Sequence, residues 1–280
     1  MSQRTWFITG ISSGFGRRMA EILLNDGNRV VGTVRDLGSV RDLQAAHGDH
    51  LTVHCLDLTD GAQAITAVVD AAFAAAGRID VVVNNAGYGL FGAAEELTDE
   101  QIVHQIDTNL LGSIRIVRAA VPHLRAQGGG RILQISTYGG QATNPGASVY
   151  NAGKWGIEGF MEATAADLAP FGIGVTIVEP GSAGTGFRTG GARVAESLAA
   201  YDGTPAAMVR RIKDPSLPSV GDVDKMVTAM IATVDRPEAP RRLALGSDSY
   251  RYMHDALTAR LSELESGKET AFSTDLPKAD

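Results

Sequence analysis

The chain has one cysteine, Cys55, so no disulfide can form within it, and its thiol content gives no sign of an oxidising compartment. No apolar run approaches the roughly 18 residues a membrane-spanning helix needs, so no membrane partner is expected. Positive charge is not in excess. The 25 Lys and Arg stand against 32 Asp and Glu, a net charge of −7, which disfavours nucleic acid and anionic membranes as partners. The six histidines and one cysteine show no ligand spacing, and His50 and His54 read as surface or packing residues, so no metal is expected. The stretch Met1–Gly10 lacks the apolar core of a signal peptide, and a cytoplasmic location is the expectation.

What the chain does have is apolar sequence, 44% of 280 residues, enough to bury a large core in one domain or at most two. Short β-branched runs alternate with helical patterns. The expected strands are Trp6–Thr9, Arg29–Val34, Leu51–Cys55, Asp80–Val83, Arg131–Ile135, Gly174–Val178 and Arg242–Leu245. Expected helices are Arg18–Asp26, Thr59–Ala75, Asp99–Arg125 and Ser148–Leu168. This alternation predicts an α/β fold, a Rossmann-like doubly wound parallel sheet of about seven strands in a single domain. The rhythm breaks after the sixth strand. There a stretch rich in Gly, Ser, Thr and Pro surrounds one expected helix, Ala192–Tyr201. A long insertion at a strand's carboxyl end suits a substrate lid, at about residues 186–219. The domain is expected to span residues 1–250, with a C-terminal helix and a loose tail over 251–280.

Thr9-Gly10-Ile11-Ser12-Ser13-Gly14-Phe15-Gly16 joins the first strand to the first helix. Gly10 permits a tight turn, Gly14 lets backbone approach a pyrophosphate, and Gly16 allows helix to pack close on strand. Unpaired N–H groups at the helix start suit phosphate. Gly10, Ser12, Ser13, Gly14, Phe15 and Gly16 are therefore expected to cradle a dinucleotide. The same residues also fit the G-x-S-x-G elbow of a serine hydrolase, with Ser12 as nucleophile and His104, His123 or His254 as base. That alternative leaves Gly16 unexplained. The second strand ends Val34-Arg35-Asp36. Valine stands where a carboxylate would hold the ribose of NAD. Arg35 follows, with a planar fork that suits the 2′-phosphate of NADP, so NADP(H) is favoured over NAD(H). Asp36 would become the ribose partner if the register moved by one.

Tyr150 and Lys154 stand four apart at the start of a helical pattern, and so share a face. An ammonium beside a phenol favours phenolate, which suits proton exchange with a carbonyl or alcohol oxygen. In the order Gly10–Gly16, Asp57, Asn84–Gly87, Asn109, Tyr150/Lys154, Pro180-Gly181 and Thr185, the chain resembles the short-chain dehydrogenase/reductase family from about Thr5 to Phe187. It is most similar to the branch of 17β-hydroxysteroid and retinol dehydrogenases. The resemblance implies hydride transfer between a nicotinamide and a carbonyl or secondary alcohol, with Arg35 and Ser12 carrying the NADP contacts. It also implies that Asp57 and Leu58 flank the adenine, and that Asn84, Ala86 and Gly87 line the middle of the cofactor. Pro180, Gly181, Ser182 and Thr185 would fix the carboxamide. Lys154 would hold the ribose as well as tune Tyr150, and Asn109 would anchor a relay water. A homodimer or homotetramer built on the two long helices follows from the same resemblance.

One position departs from the family pattern. The serine expected thirteen residues before the tyrosine is Thr137, and Ser136 precedes it. Neighbours on a strand face opposite sides, so Thr137 is expected to face Tyr150, with Ser136 as substitute if the strand end bulges. Should neither reach, a cofactor-holding sensor without turnover becomes the alternative. Expected pocket walls are Tyr88, Leu90, Phe91, Tyr138, Phe187 and the lid from Gly190 to Ser219, an apolar lining that suits a hydrophobic carbonyl compound.

Overall fold

The computed structural model describes residues 3–276. Its first strand sets the pattern for the rest. In β1 (Thr5–Thr9) every residue is buried, and the strand's twofold period sends Trp6 and Ile8 to one face and Phe7 to the other. A strand buried on both faces needs cover on both, and the chain supplies it by winding helices alternately over the two sides.

From β1 the chain passes through α1 (Gly14–Asn25), β2 (Arg29–Val34), α2 (Arg41–His47), β3 (Leu51–Cys55), α3 (Ala62–Ala76) and β4 (Val81–Asn84). It continues with β5 (Gly89–Phe91), α4 (Asp99–Ile106), α5 (Gly112–Ala126), β6 (Gly130–Ile135), α6 (Ser148–Leu168) and β7 (Ile173–Pro180). The last elements are β8 (Ala192–Val194), α7 (Val223–Ala232), β9 (Arg242–Leu245), α8 (Ser247–Ser266) and α9 (Lys268–Ser273). Seven strands form one parallel sheet in the order β3-β2-β1-β4-β6-β7-β9. Phe7, Val82 and Ile132 meet α3, α5 and α6 through Ile65, Val69, Ile116 and Ile157. On the opposite face Trp6, Ile8, Val81 and Leu133 meet α1 and α7 through Met19, Leu23, Val227 and Met230. The fold is the expected single-domain, doubly wound α/β sheet.

Local departures from the sequence reading have local causes. The helix expected over Ala192–Tyr201 is absent. Ala192–Val194 instead pairs in parallel with β5, and only Ala199–Tyr201 makes a single 3₁₀ turn. The free edge of β5 outweighs the good helix propensity of that stretch. The long helix from Asp99 contains a π-helical turn at Asp107–Leu111, which carries Asn109. The helix expected from Thr59 starts at Ala62, because the Asp57 carboxylate accepts both the backbone N–H and the hydroxyl of Thr59 and holds a turn there. The stretch 251–280, expected to hold a helix and a loose tail, includes the exposed helix α9 after α8, while its residues 277–280 lie outside the described residues. Residue 250 falls inside α8, so the division there cuts a continuous helix.

The buried ring of Phe7 is 0% exposed at the centre of the sheet. Phe7→Ala is expected to cost about 3–5 kcal/mol of unfolding free energy in a urea titration, through lost transfer energy and a residual cavity.

Candidate active site

The sheet reverses its winding between β1 and β4, and a doubly wound fold opens its crevice at that point. The turn after β1 enters the crevice with Gly10 at φ 74° and Gly14 at φ 61°, a conformation that glycine adopts without strain. A Cβ on Gly10 would stand 3.0 Å from Ala86, and one on Gly16 would overlap the Asn85 amide and the Gly10 carbonyl. Asn85 stitches the two turns together. Its Nδ2 donates to the carbonyls of Thr9 (2.9 Å) and Gly10 (3.0 Å), and its backbone N–H donates to Thr9 Oγ1 (3.0 Å). The exposed Ser12 and Ser13 sit at the α1 N-terminus, and the Ser13 side chain makes no capping bond. Their hydroxyls and the terminal N–H groups are thus free for a phosphate.

A cleft of about 840 Å³ runs from this turn in two directions. One end is lined by Arg35, Asp57 and Leu58, the other by Thr137, Tyr150, Lys154, Thr185 and Phe187. Asp36 lies outside it, because its carboxylate caps the next turn by accepting from Gly38 N at 2.8 Å. Burial pushes the Asp57 carboxyl up. The hydrogen bonds from Thr59, with the charge of Arg35, outweigh burial and hold it below the ordinary range. A glycine turn with free donors, an arginine and a carboxylate at one end and an extended cleft fit a nicotinamide dinucleotide.

The reaction end is built on the first turns of α6 and the end of β6. Lys154 is buried and its Nζ donates to the Ile135 carbonyl at 2.9 Å, 5.9 Å from the centre of the Tyr150 ring. Burial pulls the ammonium down to about 8, against the opposing charge of Glu158. Burial pushes the Tyr150 phenol up, and the nearby Tyr138 adds to this, while the Thr137 hydroxyl acts in the opposite direction. Thr137 lines the cleft with Tyr150 and donates to the Pro180 carbonyl at 3.2 Å. Ser136 also borders the cleft, but its hydroxyl is engaged, donating to Glu158 Oε1 at 2.5 Å. Asn109 is 2% exposed, and its amide group makes two bonds with the Tyr88 backbone, donating to O at 2.7 Å and accepting from N at 3.1 Å.

Two expected positions are corrected. The Asn84 side chain does not line the cofactor cleft. It donates to Ser113 O and Gln134 Oε1 inside the protein, and Asn85, Ala86 and Gly87 form the wall. Leu90 is no pocket wall. It packs with Leu97 and Ala195, while its neighbour Phe91 turns toward Tyr150, with ring centres 5.5 Å apart. Both follow from strand alternation, which separates neighbours without saying which of the two faces the site. Sequence reasoning also passed over residues of α8. Asp248 accepts from the Ser182 N–H (2.8 Å) and hydroxyl (2.7 Å), fixing the turn Pro180–Ser182, and the Tyr252 ring packs tilted against Tyr138, centres 5.1 Å apart. No periodicity could announce these contacts, because they join residues distant in the chain.

Ser12 has no histidine partner. His104 pairs with the Tyr88 hydroxyl, His123 with Asp70 and His254 with Asp255, so the geometry assembles no hydrolase triad among the described residues. The described residues also contain no cluster of three His, Cys, Asp or Glu side chains placed to hold a metal ion. None of their helices is long and apolar enough to cross a membrane.

A parallel doubly wound sheet with a glycine turn at its switch point and a tyrosine–lysine pair across the cleft defines a nicotinamide-dependent oxidoreductase. The chain matches the short chain dehydrogenase family over residues 4–193 and belongs to it. It is 32% identical to oxidoreductase BOA17 of Botryotinia fuckeliana, over 97% of this chain and 99% of that one. It is 34% identical to retinol dehydrogenase 8 of Homo sapiens, over 85% and 80% of the respective chains. A crystal structure of a short-chain dehydrogenase from Streptomyces avermitilis superposes with a TM-score of 0.91 at 37% identity, covering 98% of this chain and 99% of that one. Members act on CH–OH or C=O groups of small molecules with NAD(P), and this chain is an oxidoreductase of that type.

The folded protein holds Lys154 at about 8, below its ordinary 10.5. A depressed group contributes stability that is present above the unfolded value and lost as pH falls through the folded one. The wild type is therefore expected to gain stability relative to Lys154→Met as pH rises from about 8 to 10.5, read by thermal unfolding of the two proteins side by side.

Proposed function

We propose that the protein is an NADP(H)-dependent reductase or dehydrogenase for a hydrophobic ketone or secondary alcohol. The observation that carries this reading is one continuous cleft, with Arg35 at one end and Thr137, Tyr150 and Lys154 at the other. Bound there, the nicotinamide supplies or accepts the hydride. The Tyr150 phenol gives a proton to the substrate oxygen in reduction and takes one in oxidation. Its proximity to the buried Lys154 ammonium stabilises the phenolate that remains. Thr137 orients the substrate oxygen from the same wall. Lys154 also takes the ribose, and Asn109, at the π turn beside α6, anchors the water that links Lys154 to solvent.

The glycine turn with Ser12, Ser13, Gly14 and Phe15 holds the pyrophosphate, Asp57 and Leu58 flank the adenine, and Ala86 and Gly87 line the middle. Pro180, Gly181, Ser182 and Thr185 shape the carboxamide site. Ser182 does so through backbone, because its hydroxyl is engaged by Asp248 and the Val220 N–H. Arg35 favours NADP(H), and the engagement of Asp36 with Gly38 supports this by removing the competing ribose partner.

The substrate end supports an apolar ligand. Phe91 and Phe187 lie 5.5 and 6.2 Å from the Tyr150 ring, and the lid adds Val209 and Ile212 to the same cluster. The segment at residues 186–219 acts as the lid, and residues 1–250 with α8 form one working unit. Exposed Val103, Leu111 and Trp155 on α4, its π turn and α6 support a homodimer or homotetramer through the long helices. A cytoplasmic location agrees with the lone cysteine.

A panel of ketones offered with NADPH, followed at the reduced-nicotinamide absorbance, tests the reading directly. Tyr150→Phe is expected to lower turnover about a hundredfold or more with cofactor affinity kept, and full activity in that variant would remove Tyr150 from the mechanism. Arg35→Ala is expected to weaken NADPH binding about tenfold to a hundredfold and leave NADH binding nearly unchanged, measured by fluorescence titration. Tighter binding of NADH than NADPH by the wild type would overturn the cofactor preference.

A further inference from the structure

Behind the reaction end, away from the cleft lining, two carboxylates are buried together. Glu158 and Glu179 are each 2% exposed and share one guanidinium. Arg242 Nη1 stands 2.5 Å from Glu158 Oε2 and also pairs with Glu179, while Nη2 reaches the half-exposed Glu162 at 2.9 Å. Glu158 further accepts from Ser136 Oγ at 2.5 Å and from the Gln141 amide. The turn after β6 presses so close that a Cβ on Gly140 would overlap the Glu158 carboxylate. Groups from the neighbouring elements thus converge on Glu158: Ser136 from just after β6, Gln141 from the following turn, Glu179 from β7 and Arg242 from β9, while Lys154 lies one turn earlier on the same face of its own helix.

The Glu158 carboxylate accepts from three donors, Ser136, Gln141 and Arg242. Burial and the neighbouring Glu158 push Glu179 well above the ordinary carboxylate range, against the charge of Arg242. Tyr150, Lys154 and Glu158 succeed one another at intervals of four on one face of α6. The helix therefore holds two consecutive residues of the β6 end. Lys154 binds the Ile135 carbonyl, and Glu158 binds the Ser136 hydroxyl. Thr137, the next residue, is left facing the cleft.

We propose that Glu158 is a positioning residue of the reaction centre, whose carboxylate is the counter-charge that keeps the buried Lys154 an ammonium and the anchor that keeps the Ser136 hydroxyl from the substrate. The role assigned to Lys154 rests on the function proposed above; the charge coupling itself does not. Its test therefore needs no turnover. The chain has five lysines, which trace acetylation of the free protein across a pH series, read peptide by peptide by mass spectrometry, resolves individually.

In the wild type, Lys154 is expected to titrate below the other four. In Glu158→Gln, a near-isostere without the charge, its midpoint is expected to fall further by about one pH unit, and Glu158→Asp is expected to restore it. Ser136→Ala, which removes only a hydroxyl, is expected to shift the midpoint the same way by less, and it decides the matter if Glu158→Gln does not fold. A role confined to packing would lower the melting temperature and leave the Lys154 midpoint in place. An unmoved midpoint in folded Glu158→Gln, or in Ser136→Ala where that variant decides, overturns the proposal. In turnover assays the alkaline limb of the Glu158→Gln profile is expected to move acidward with the midpoint. A moved midpoint without any wild-type ketone reduction would uphold the coupling and count against the reductase reading instead.

Discussion

The cleft depends on how two turns are held together where the sheet changes direction. Thr9 closes β1 and Asn85 follows β4, and four hydrogen bonds join them across the crevice. The Asn85 amide donates to the carbonyls of Thr9 and Gly10, and the Thr9 hydroxyl accepts from the backbone N–H groups of Asn85 and Ala86. The Thr9 hydroxyl also donates to the Val83 carbonyl at 3.3 Å, and breaking the stitch would leave buried and half-buried polar groups short of partners. It fixes the glycine turn against Ala86, and thereby the direction in which α1 presents its N-terminus. The segment after β7, the C-terminal helix and the reaction end are all placed relative to that floor.

Burial has opposite effects on the two groups at the reaction end. It disfavours the charged form of each, raising the Tyr150 phenol and lowering the Lys154 ammonium. The protein offsets this with specific neighbours. Lys154 has the Ile135 carbonyl and the charge of Glu158; Tyr150 has the hydroxyl of Thr137. The same tension appears in Glu158, Glu179 and Arg242, where two carboxylates share a guanidinium and only one of them carries three donors. A buried charged network of this kind is weak as a source of stability but effective at fixing geometry. Here it fixes which of two adjacent hydroxyls, Ser136 or Thr137, is presented to a ligand.

The substrate end is assembled from pieces far apart in the chain. Phe91 belongs to β5, Tyr150 to α6, Phe187 and Val209 to the segment after β7, and Tyr252 to α8. The segment after β7 is docked through β8 on β5, and the Glu96 carboxylate ties it down by accepting from the Leu198 N–H and from Arg210, both at 2.9 Å. The aromatic character of this wall is thus a product of packing among separate segments, each of which supplies one or two rings.

Fold class, the glycine turn and the spacing of Tyr150 and Lys154 were determined by the sequence alone, because each depends on interactions within a few residues or on a period of 2 or 3.6. Seven short β-branched runs between helical patterns admit few arrangements. The side of the sheet to which a given residue turns was not legible in the same way. Alternation separates Asn84 from Asn85, Leu90 from Phe91 and Ser136 from Thr137, but only the packed neighbours decide which member of each pair offers its side chain to the cleft. For Asn84 that neighbour is Gln134 on β6; for Leu90 it is Leu97; for Ser136 it is Glu158. The conversion of Ala192–Val194 from helix to strand, and the contributions of Asp248, Tyr252 and Glu158, were likewise decided by tertiary structure. Hydrogen bonds and contacts between segments tens of residues apart leave no periodic trace in the chain that makes them.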